Sequence, residues 1–265
     1  MDCPGAIALA QYTQPSLSVS SRIQKFPVGF PAVTQSDISI TALSTIHSPI
    51  GSNTDNRAID KGRVIELVIN GNPPNTYAER LALGYCKTFT AIRNDELAKD
   101  DVLMAAKKLH KLLFSEVPGK QAIWRTADGP IYRNAREYPF KHQPIPARDV
   151  PEAFERICDE CQKILSDKNV RVLYIISAFT VDTIHVQPFE KEGQLLIRLL
   201  LLHMLHNAKF PIFEYTCFEH LIHENIVRLY SSVEKCMLHW EQEINDYRLA
   251  FDFWVDLLQK SCSLL

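Results

Sequence analysis

The stretch Gln194–Leu205, QLLIRLLLLHML, constrains the fold more than any other part of the chain. From Leu195 to Leu205 every residue except Arg198 and His203 is apolar. A helix of this composition has no polar face, so other elements must cover it on all sides. A membrane-spanning helix needs roughly 20 predominantly apolar residues, and this run is shorter and carries a charge. We therefore predict a buried core helix, and we expect no membrane partner.

Helical periodicity and turn signals predict that other helices surround this one. Apolar residues recur at spacings of three and four in several segments, and Gly71-Asn72-Pro73-Pro74 and Pro118-Gly119 are strong breaks between them. The predicted helices, including the core helix, span about 60–70, 76–92, 100–114, 151–166, 169–185, 191–207, 213–230 and 232–260. Aromatic residues of the last helix, such as Phe253 and Trp254, are expected in the core.

One β-hairpin and one arm complete the predicted organisation. Ala127-Asp128-Gly129-Pro130 is a turn signal between two short β-prone pieces, in QAIWRTADGPIYR. Residues 1–45 are rich in Ser, Thr, Pro and Gln and show no sustained periodicity, which predicts a flexible N-terminal arm. The fold class is therefore mainly α, with one β-hairpin in a helical domain spanning 46–265.

Composition limits the functional classes. The formal net charge is −2, whereas nucleic-acid-binding proteins usually carry a basic excess, so we expect no nucleic-acid partner. The chain has seven cysteines, an odd number, and no secretory leader, which favours free thiols and a cytoplasmic location. Cys158-Asp159-Glu160-Cys161 is a lone C-x-x-C in a helical pattern and is interpreted as ordinary helix residues.

A candidate anion site precedes the core helix. Residues 185–198 read HVQPFEKEGQLLIR, and Gly193 suits a tight turn into a helix start. The first N–H groups of a helix lack intrahelical partners, and the dipole is positive there, so such a place binds phosphate. Arg198 lies one turn in and needs an anionic partner. Either a bound phosphate or a carboxylate such as Glu190 or Glu192 would serve.

This stretch resembles the Fic (Fido) signature H-P-F-x-[D/E]-G-N-G-R-x-x-R. Pro188 and Phe189 match it, and Arg198 matches the second arginine without a gap. The similarity continues over about 45–260, in Leu109-His110, Pro118-Gly119, Trp124-Arg125, Pro130-Ile131, the Pro-rich segment 138–151 and the exit segment 199–213.

The resemblance implies a Fic-type helical bundle with a hairpin flap and transfer of AMP from ATP to a protein hydroxyl. In that family the motif histidine is the general base, the acidic residue holds Mg²⁺, and the second arginine binds phosphate. The flap binds the target protein, and here it would comprise Arg125, Thr126, Ile131 and Tyr132.

The motif departs from the family pattern, and two alignments remain open. Without a gap, Gln187 replaces the catalytic histidine, and an amide cannot accept a proton at neutral pH. Lys191 then replaces the metal ligand, and Leu195 replaces the first arginine. With gaps, His185 is the base, Glu192 is the metal ligand, and Gly193 and Gln194 stand for the Gly-Asn pair. The ungapped alignment needs no insertion and is preferred.

Two functions follow as expectations. The chain is either a Fic-type AMP transferase whose activity is weak or lost, with ATP and Mg²⁺ as cofactors if active, or an inactive module that binds a protein through the flap edge. The expected partner is a protein target or regulator, and a homodimer is compatible with the sequence. Ser48–Asn53 resembles the family's inhibitory segment, with Ser52 at the position of its glutamate.

Overall fold

The structure is a computed structural model that describes residues 59, 61–119, 123–129, 131–135, 138–165, 172–190, 193–208, 221–222, 224–241 and 246–263. The predicted arm and the Ser48–Asn53 segment lie outside these residues. No helix in the described ranges is long and apolar enough to cross a membrane.

The described part of the chain is mainly helical, as predicted, with one short antiparallel pair of strands. The elements in chain order are α1 (Lys61–Val68), α2 (Tyr77–Arg93), α3 (Val102–Leu113), β1 (Ile131–Ala135), β2 (Tyr138–His142), α4 (Val150–Leu165), α5 (Val172–Val186), α6 (Gly193–Asn207), α7 (Ile226–Glu241) and α8 (Arg248–Ser263). Thr76 and Asp101 begin α2 and α3 by accepting hydrogen bonds from the N–H groups of Glu79 and Met104.

Helices α5 and α6 form the centre of the bundle. All residues of α5 except Val172 and His185 are buried, and α6 is buried from Gly193 to Leu205 except at Gln194 and Arg198. Helices α4, α6, α7 and α8 pack against α5, while α2 and α3 pack against α6. The prediction of a central core helix is confirmed, and its neighbour α5 is equally enclosed.

The hairpin lies one strand further along the chain than predicted. β1 pairs with β2 in antiparallel register, with Ile131 opposite His142 and Ala135 opposite Tyr138. The prediction placed a strand on each side of Ala127–Pro130, but 123–129 is an irregular segment. Its Asp128 side chain accepts a hydrogen bond from the N–H of Ala147 at 2.6 Å, so the turn signal marks the approach to the hairpin.

The predicted C-terminal helices were also misplaced. The structure has a continuous α7 across the predicted break at 231 and a non-helical break at Asp246 and Tyr247. Asp246 accepts a hydrogen bond from the N–H of Arg248 at 2.9 Å, so a local side chain starts α8 there. Phe253 and Trp254 are buried in the core, as predicted.

An ion pair fastens α1 to the start of α2. Arg63 Nε lies 2.9 Å from Glu79 Oε1, and its Nη2 also donates to the carbonyl oxygen of Pro73. Glu79 further accepts a hydrogen bond from the N–H of Asn75 at 2.6 Å. The Arg63 guanidinium, helped by this N–H, lowers the pKa of Glu79 to about 2, so the carboxylate is charged at neutral pH.

A buried polar pair joins α5 to the start of α8. Tyr247 Oη donates to Asp182 Oδ1 at 3.0 Å, and both residues are buried. Burial raises the pKa of Asp182 to about 7, although the Tyr247 hydrogen bond opposes the shift. Asp182 is the only Asp, Glu, Lys or Arg in α5.

Gly84 allows α2 and α3 to touch, and its replacement is expected to destabilise the fold. A Cβ at this position would lie 1.9 Å from the carbonyl oxygen of Leu113. Gly84→Ala should lower the free energy of unfolding by about 3 kcal/mol, because backbone must move. Urea denaturation measures it. Lys87→Ala on the same helix, which removes only an exposed ion pair with Glu116, should cost less than about 1 kcal/mol. Equal losses would contradict the close-packing argument.

The Asp182 carboxyl should make stability fall as pH rises. Its pKa in the folded protein is about 7 against an ordinary value of 3.8, so the folded state holds the extra proton between these values. The free energy of unfolding should therefore decrease from about pH 4 to about pH 7.

Comparison with Asp182→Asn isolates this contribution, because the amide oxygen can still accept from Tyr247. The stability of the variant relative to the native chain should grow by on the order of one to a few kcal/mol across that range, measured by urea denaturation at each pH. Parallel stability curves would show that Asp182 does not titrate there.

Candidate functional site

The loop between the two core helices forms the candidate site. α5 ends at Val186, and the N–H of Gln187 still bonds to the carbonyl oxygen of Thr183 at 2.9 Å. Gln187 has a φ of 44°, a left-handed conformation that is unfavourable for residues other than glycine and asparagine. This turn sends the chain away from α5, and α6 begins at Gly193. The expected loop followed by a helix is therefore present.

Phe189 anchors this loop in an aromatic cluster. Its ring stacks on Trp124 with centroids 5.9 Å apart, meets Phe154 edge-on at 5.2 Å, and lies 6.4 Å from the ring of His110. Phe189 is buried. The aromatic contacts fix where the loop runs before it enters α6.

Gly193 lies close to Phe189 at the start of α6. A Cβ there would lie 3.0 Å from the Cβ of Phe189. Its N–H donates to the carbonyl oxygen of Glu190 at 2.7 Å. This amide is thus engaged within the loop, and an anion at the helix start would be bound by the N–H groups that follow. The predicted role of Gly193 in phosphate binding stays a prediction.

Gln194 and Arg198 form a half-buried polar stripe at the start of α6. They are the two residues between Gly193 and Leu205 that are not buried, and they lie one helical turn apart on the same face. Arg198 lies in the second turn of α6, which confirms the prediction that it lies one turn inside the helix. Whether the guanidinium neutralises a carboxylate or a ligand stays a prediction.

Two histidines meet at the end of α5. The Nε2 of His142, at the end of β2, donates to the carbonyl oxygen of His185 at 3.0 Å, and the ring centroids are 5.0 Å apart. Burial, reinforced by His142, lowers the pKa of His185 to about 4. Burial also lowers the pKa of His142. His185 is therefore neutral at pH 7 and is a much weaker base than an ordinary imidazole.

Arg125 lies inside the protein, behind the loop. Its side chain is 9% exposed, and its Nε donates to the carbonyl oxygen of Gln187 at 3.0 Å. Its own N–H donates to the carbonyl oxygen of Pro188 at 2.8 Å. Arg125 was predicted to lie on a target-binding surface. The structure corrects this, because the buried guanidinium is bonded to backbone oxygens and does not face another protein.

The remaining predicted flap residues lie nearer the surface or on the hairpin. Thr126 is exposed, and its hydroxyl donates to Glu190 Oε1 at 2.9 Å. Ile131 and Tyr132 are the first two residues of β1. Their role in binding a target stays a prediction, as does the role of Glu192, which lies outside the described residues.

The structure thus gathers most of the predicted site around one loop. His185, Gln187, Gly193 and Arg125 lie on or against it, and Arg198 lies a short way along α6. Sequence reasoning missed His142, which reaches the site only because β2 returns to the end of α5. Its position in the Pro-rich segment carried no signal for this contact.

The C-x-x-C pair is separate from the site. Cys158 and Cys161 are buried in α4, and burial raises the pKa of both thiols, which disfavours the reactive thiolate. Within the ranges that the structure describes, no group of three or more His, Cys, Asp or Glu side chains could hold a metal ion.

Comparison with solved structures identifies the architecture. No protein-family sequence model matches the chain, and no curated protein is detectably similar to it in sequence. A Fic family protein from Desulfovibrio desulfuricans G20 superposes with a TM-score of 0.64 at 16% identity, over 86% of this chain and 65% of that one. A Fic domain containing signaling protein from Bacteroides thetaiotaomicron VPI-5482 gives 0.64 at 12% identity, over 93% and 92% of the two chains.

Fic-1 from C. elegans is similar as well, with a TM-score of 0.62 at 13% identity over 93% of this chain and 70% of that chain. The chain has the Fic fold. At these identities the likeness establishes the fold alone, and the chemistry has to be argued from the residues. Within the Fic fold, the loop 187–190 and the start of α6 are the region that the sequence motif singled out.

Gln187→Gly tests whether the side chain of this residue supports the Fic fold. Glycine adopts a φ of 44° without strain, and the Oε1 of Gln187 is buried with no hydrogen-bond partner in the described residues. The substitution should leave stability unchanged or raise it by up to about 1 kcal/mol. Thermal denaturation measures it, with Gln187→Val, which should be destabilising, as the contrasting variant. A clear loss in Gln187→Gly would show that the amide is structural.

Proposed function

We propose that this protein binds the phosphates of a nucleotide at the start of α6 and that its capacity to transfer AMP is weak or lost. One observation carries the proposal. Gln187 occupies the loop position directly before Pro188 and Phe189, where the motif places the histidine base, and its amide cannot accept a proton at neutral pH. The surrounding geometry supports binding, while this residue opposes transfer.

The nearby imidazoles do not supply a strong replacement base. His185 belongs to the last turn of α5, its ring lies against His142, and its pKa of about 4 makes it a poor proton acceptor. The gapped alignment would use this residue as the base. The packing of the two rings favours the ungapped alignment, in which Gln187 is the counterpart of the catalytic histidine.

The residues for holding phosphate are Arg198, Gln194 and the N–H groups in the first turn of α6. The half-buried guanidinium of Arg198 and a helix N-terminus together favour a multiply charged anion. A bound Mg²⁺ would neutralise phosphate charge. Glu192 is its predicted ligand only in the gapped alignment, whereas Lys191, which cannot bind a cation, takes the ligand position in the ungapped one. In this chain the described residues bind and orient the anion, and none is suited to accept the proton of a target hydroxyl.

A second function, protein binding through the hairpin, is favoured by one observation. Among the described residues β1 pairs with β2 alone, and α7 packs beside β2. The outer edge of β1, which includes Ile131 and Tyr132, is therefore the edge on which an extended segment of another protein would add a strand. This function requires no chemistry at Gln187.

Isothermal titration with ATP and Mg²⁺ tests the nucleotide site. We expect binding that Arg198→Gln weakens by about tenfold, which corresponds to the loss of about 1.4 kcal/mol from one charged contact. Arg80→Gln removes another half-buried arginine, on α2, and should leave the affinity unchanged. An absence of heat at millimolar ATP would exclude nucleotide binding and leave the protein-binding function.

Incubation with labelled ATP tests the loss of transfer. The native chain should incorporate little or no label, Gln187→His should incorporate more because the proton acceptor returns, and His185→Ala should match the native chain. Strong labelling of the native chain that disappears in His185→Ala would instead establish the gapped alignment and an active enzyme.

A further inference from the structure

We infer that Arg125 is a positioning residue that fastens both ends of the hairpin to the loop carrying Gln187, and thereby sets the geometry of the anion site. The inference rests on the proposed function for what the site binds. Arg125 touches neither the proposed ligand nor reacting atoms. It acts through the backbone on which Gln187 and the start of α6 depend.

The guanidinium of Arg125 bonds to four backbone carbonyl oxygens from three separate segments. Nε donates to the oxygen of Gln187 at 3.0 Å, Nη1 to that of Ala127 at 2.8 Å, and Nη2 to those of Ile145 at 2.6 Å and Val186 at 3.4 Å. The oxygen of Val186 belongs to the last residue of α5, and that of Gln187 to the residue after it. One side chain thus holds the left-handed turn from behind.

The contacts join both ends of the hairpin to that turn. Ala127 lies before β1, and Ile145 lies after β2, so a displacement of either end must stretch a bond to the same guanidinium. Two further bonds run in parallel: Thr126 to Glu190 at 2.9 Å, and His142 to the oxygen of His185 at 3.0 Å. The hairpin and the segment 185–190 therefore form one connected polar network.

Arginine is the side chain that suits this position. It carries five N–H donors in a planar fork, and the contacts above point in different directions. The carbonyl oxygens at the end of α5 are the negative end of the helix dipole, which partly compensates a buried cation. Asp128 Oδ1 is 3.8 Å from Nη1, but that side chain is 70% exposed. Burial lowers the pKa of Arg125 from its usual value, which matches a cation held chiefly by dipoles.

Lysine should fail here even though it keeps the charge. An ammonium offers three donors on one nitrogen and cannot reach oxygens of 127, 145 and 187 together. In Arg125→Lys the turn at Gln187 and the entry into α6 should therefore loosen while the bundle persists. Arg63→Lys is a matched control, because Arg63 also bonds several partners but joins α1 to α2.

Hydrogen–deuterium exchange of the full chain without nucleotide is the primary test. In Arg125→Lys the amides of 187–194 should exchange at least about tenfold faster, while those of α3 stay unchanged. In Arg63→Lys the amides of 187–194 should exchange as in the native chain. Unchanged exchange of 187–194 in Arg125→Lys, or an equal increase in both variants, overturns the inference.

Affinity for ATP and Mg²⁺ separates this inference from the proposed function. Arg125→Lys should weaken binding by about tenfold or more, since small displacements of a site are costly, and Arg63→Lys should not. Native affinity in Arg125→Lys overturns the positioning role. If the native chain binds no ATP, the proposed function fails, and the exchange experiment alone decides the role of Arg125.

His142→Ala keeps the test decisive if Arg125→Lys does not fold. It removes a weaker tether of the same hairpin and is half-buried, so the bundle should tolerate it. Because Arg125 is intact in this variant, the exchange of 187–194 should rise by less than about tenfold. A larger rise would show that His142, and not Arg125, holds the loop, and would overturn the inference.

Discussion

Two consecutive helices, α5 and α6, have almost no polar surface, and the need to cover them determines the rest of the fold. Helices α2 and α3 cover α6, while α4, α7 and α8 cover α5. The chain must nevertheless turn between α5 and α6, and a turn exposes backbone groups that need partners. In the loop 187–190, backbone polar groups therefore lie next to the apolar core and need hydrogen-bond partners. Its partners come from the hairpin segment because the helices around it offer mostly apolar side chains.

The polar groups inside the bundle are satisfied in two different ways. The hydroxyls of Ser177, Thr180 and Thr183 donate to carbonyl oxygens one turn earlier in α5, so they add no demand on neighbouring helices. Asp182 and Arg125 instead require partners from distant segments. Asp182 obtains one hydrogen bond from Tyr247 and adopts a raised pKa, whereas Arg125 obtains four carbonyl oxygens. Burial opposes the charge of both groups, but the ordinary pKa of the guanidinium lies far above neutral pH, whereas burial raises the pKa of Asp182 to about 7.

Sequence patterns predicted the helices wherever burial is periodic or complete, and failed where single tertiary contacts decide. The predicted starts and ends of α2, α4 and α6 agree with the structure within about two residues. The break before α8 was missed because Asp246 and Tyr247 fit a helical spacing, and the bonds that these residues make to Arg248 and Asp182 are tertiary and local contacts that the spacing does not reveal. The hairpin was misplaced because Asp128 makes its turn by bonding to Ala147, a residue beyond both strands. The role of Arg125 could not be predicted, since its partners are backbone atoms that no residue type reveals.

The features that hold the loop in place are independent of the residue that would perform chemistry in it. Phe189 sits in its aromatic cluster, Gly193 packs on the Cβ of Phe189, and Arg125 bonds to backbone oxygens at 186 and 187. None of these contacts uses the side chain of Gln187. The side chain at this position can therefore differ while these contacts, and the Fic fold, persist. For this reason the fold alone does not assign an activity, and the identity of the side chain at position 187 is the more informative observation.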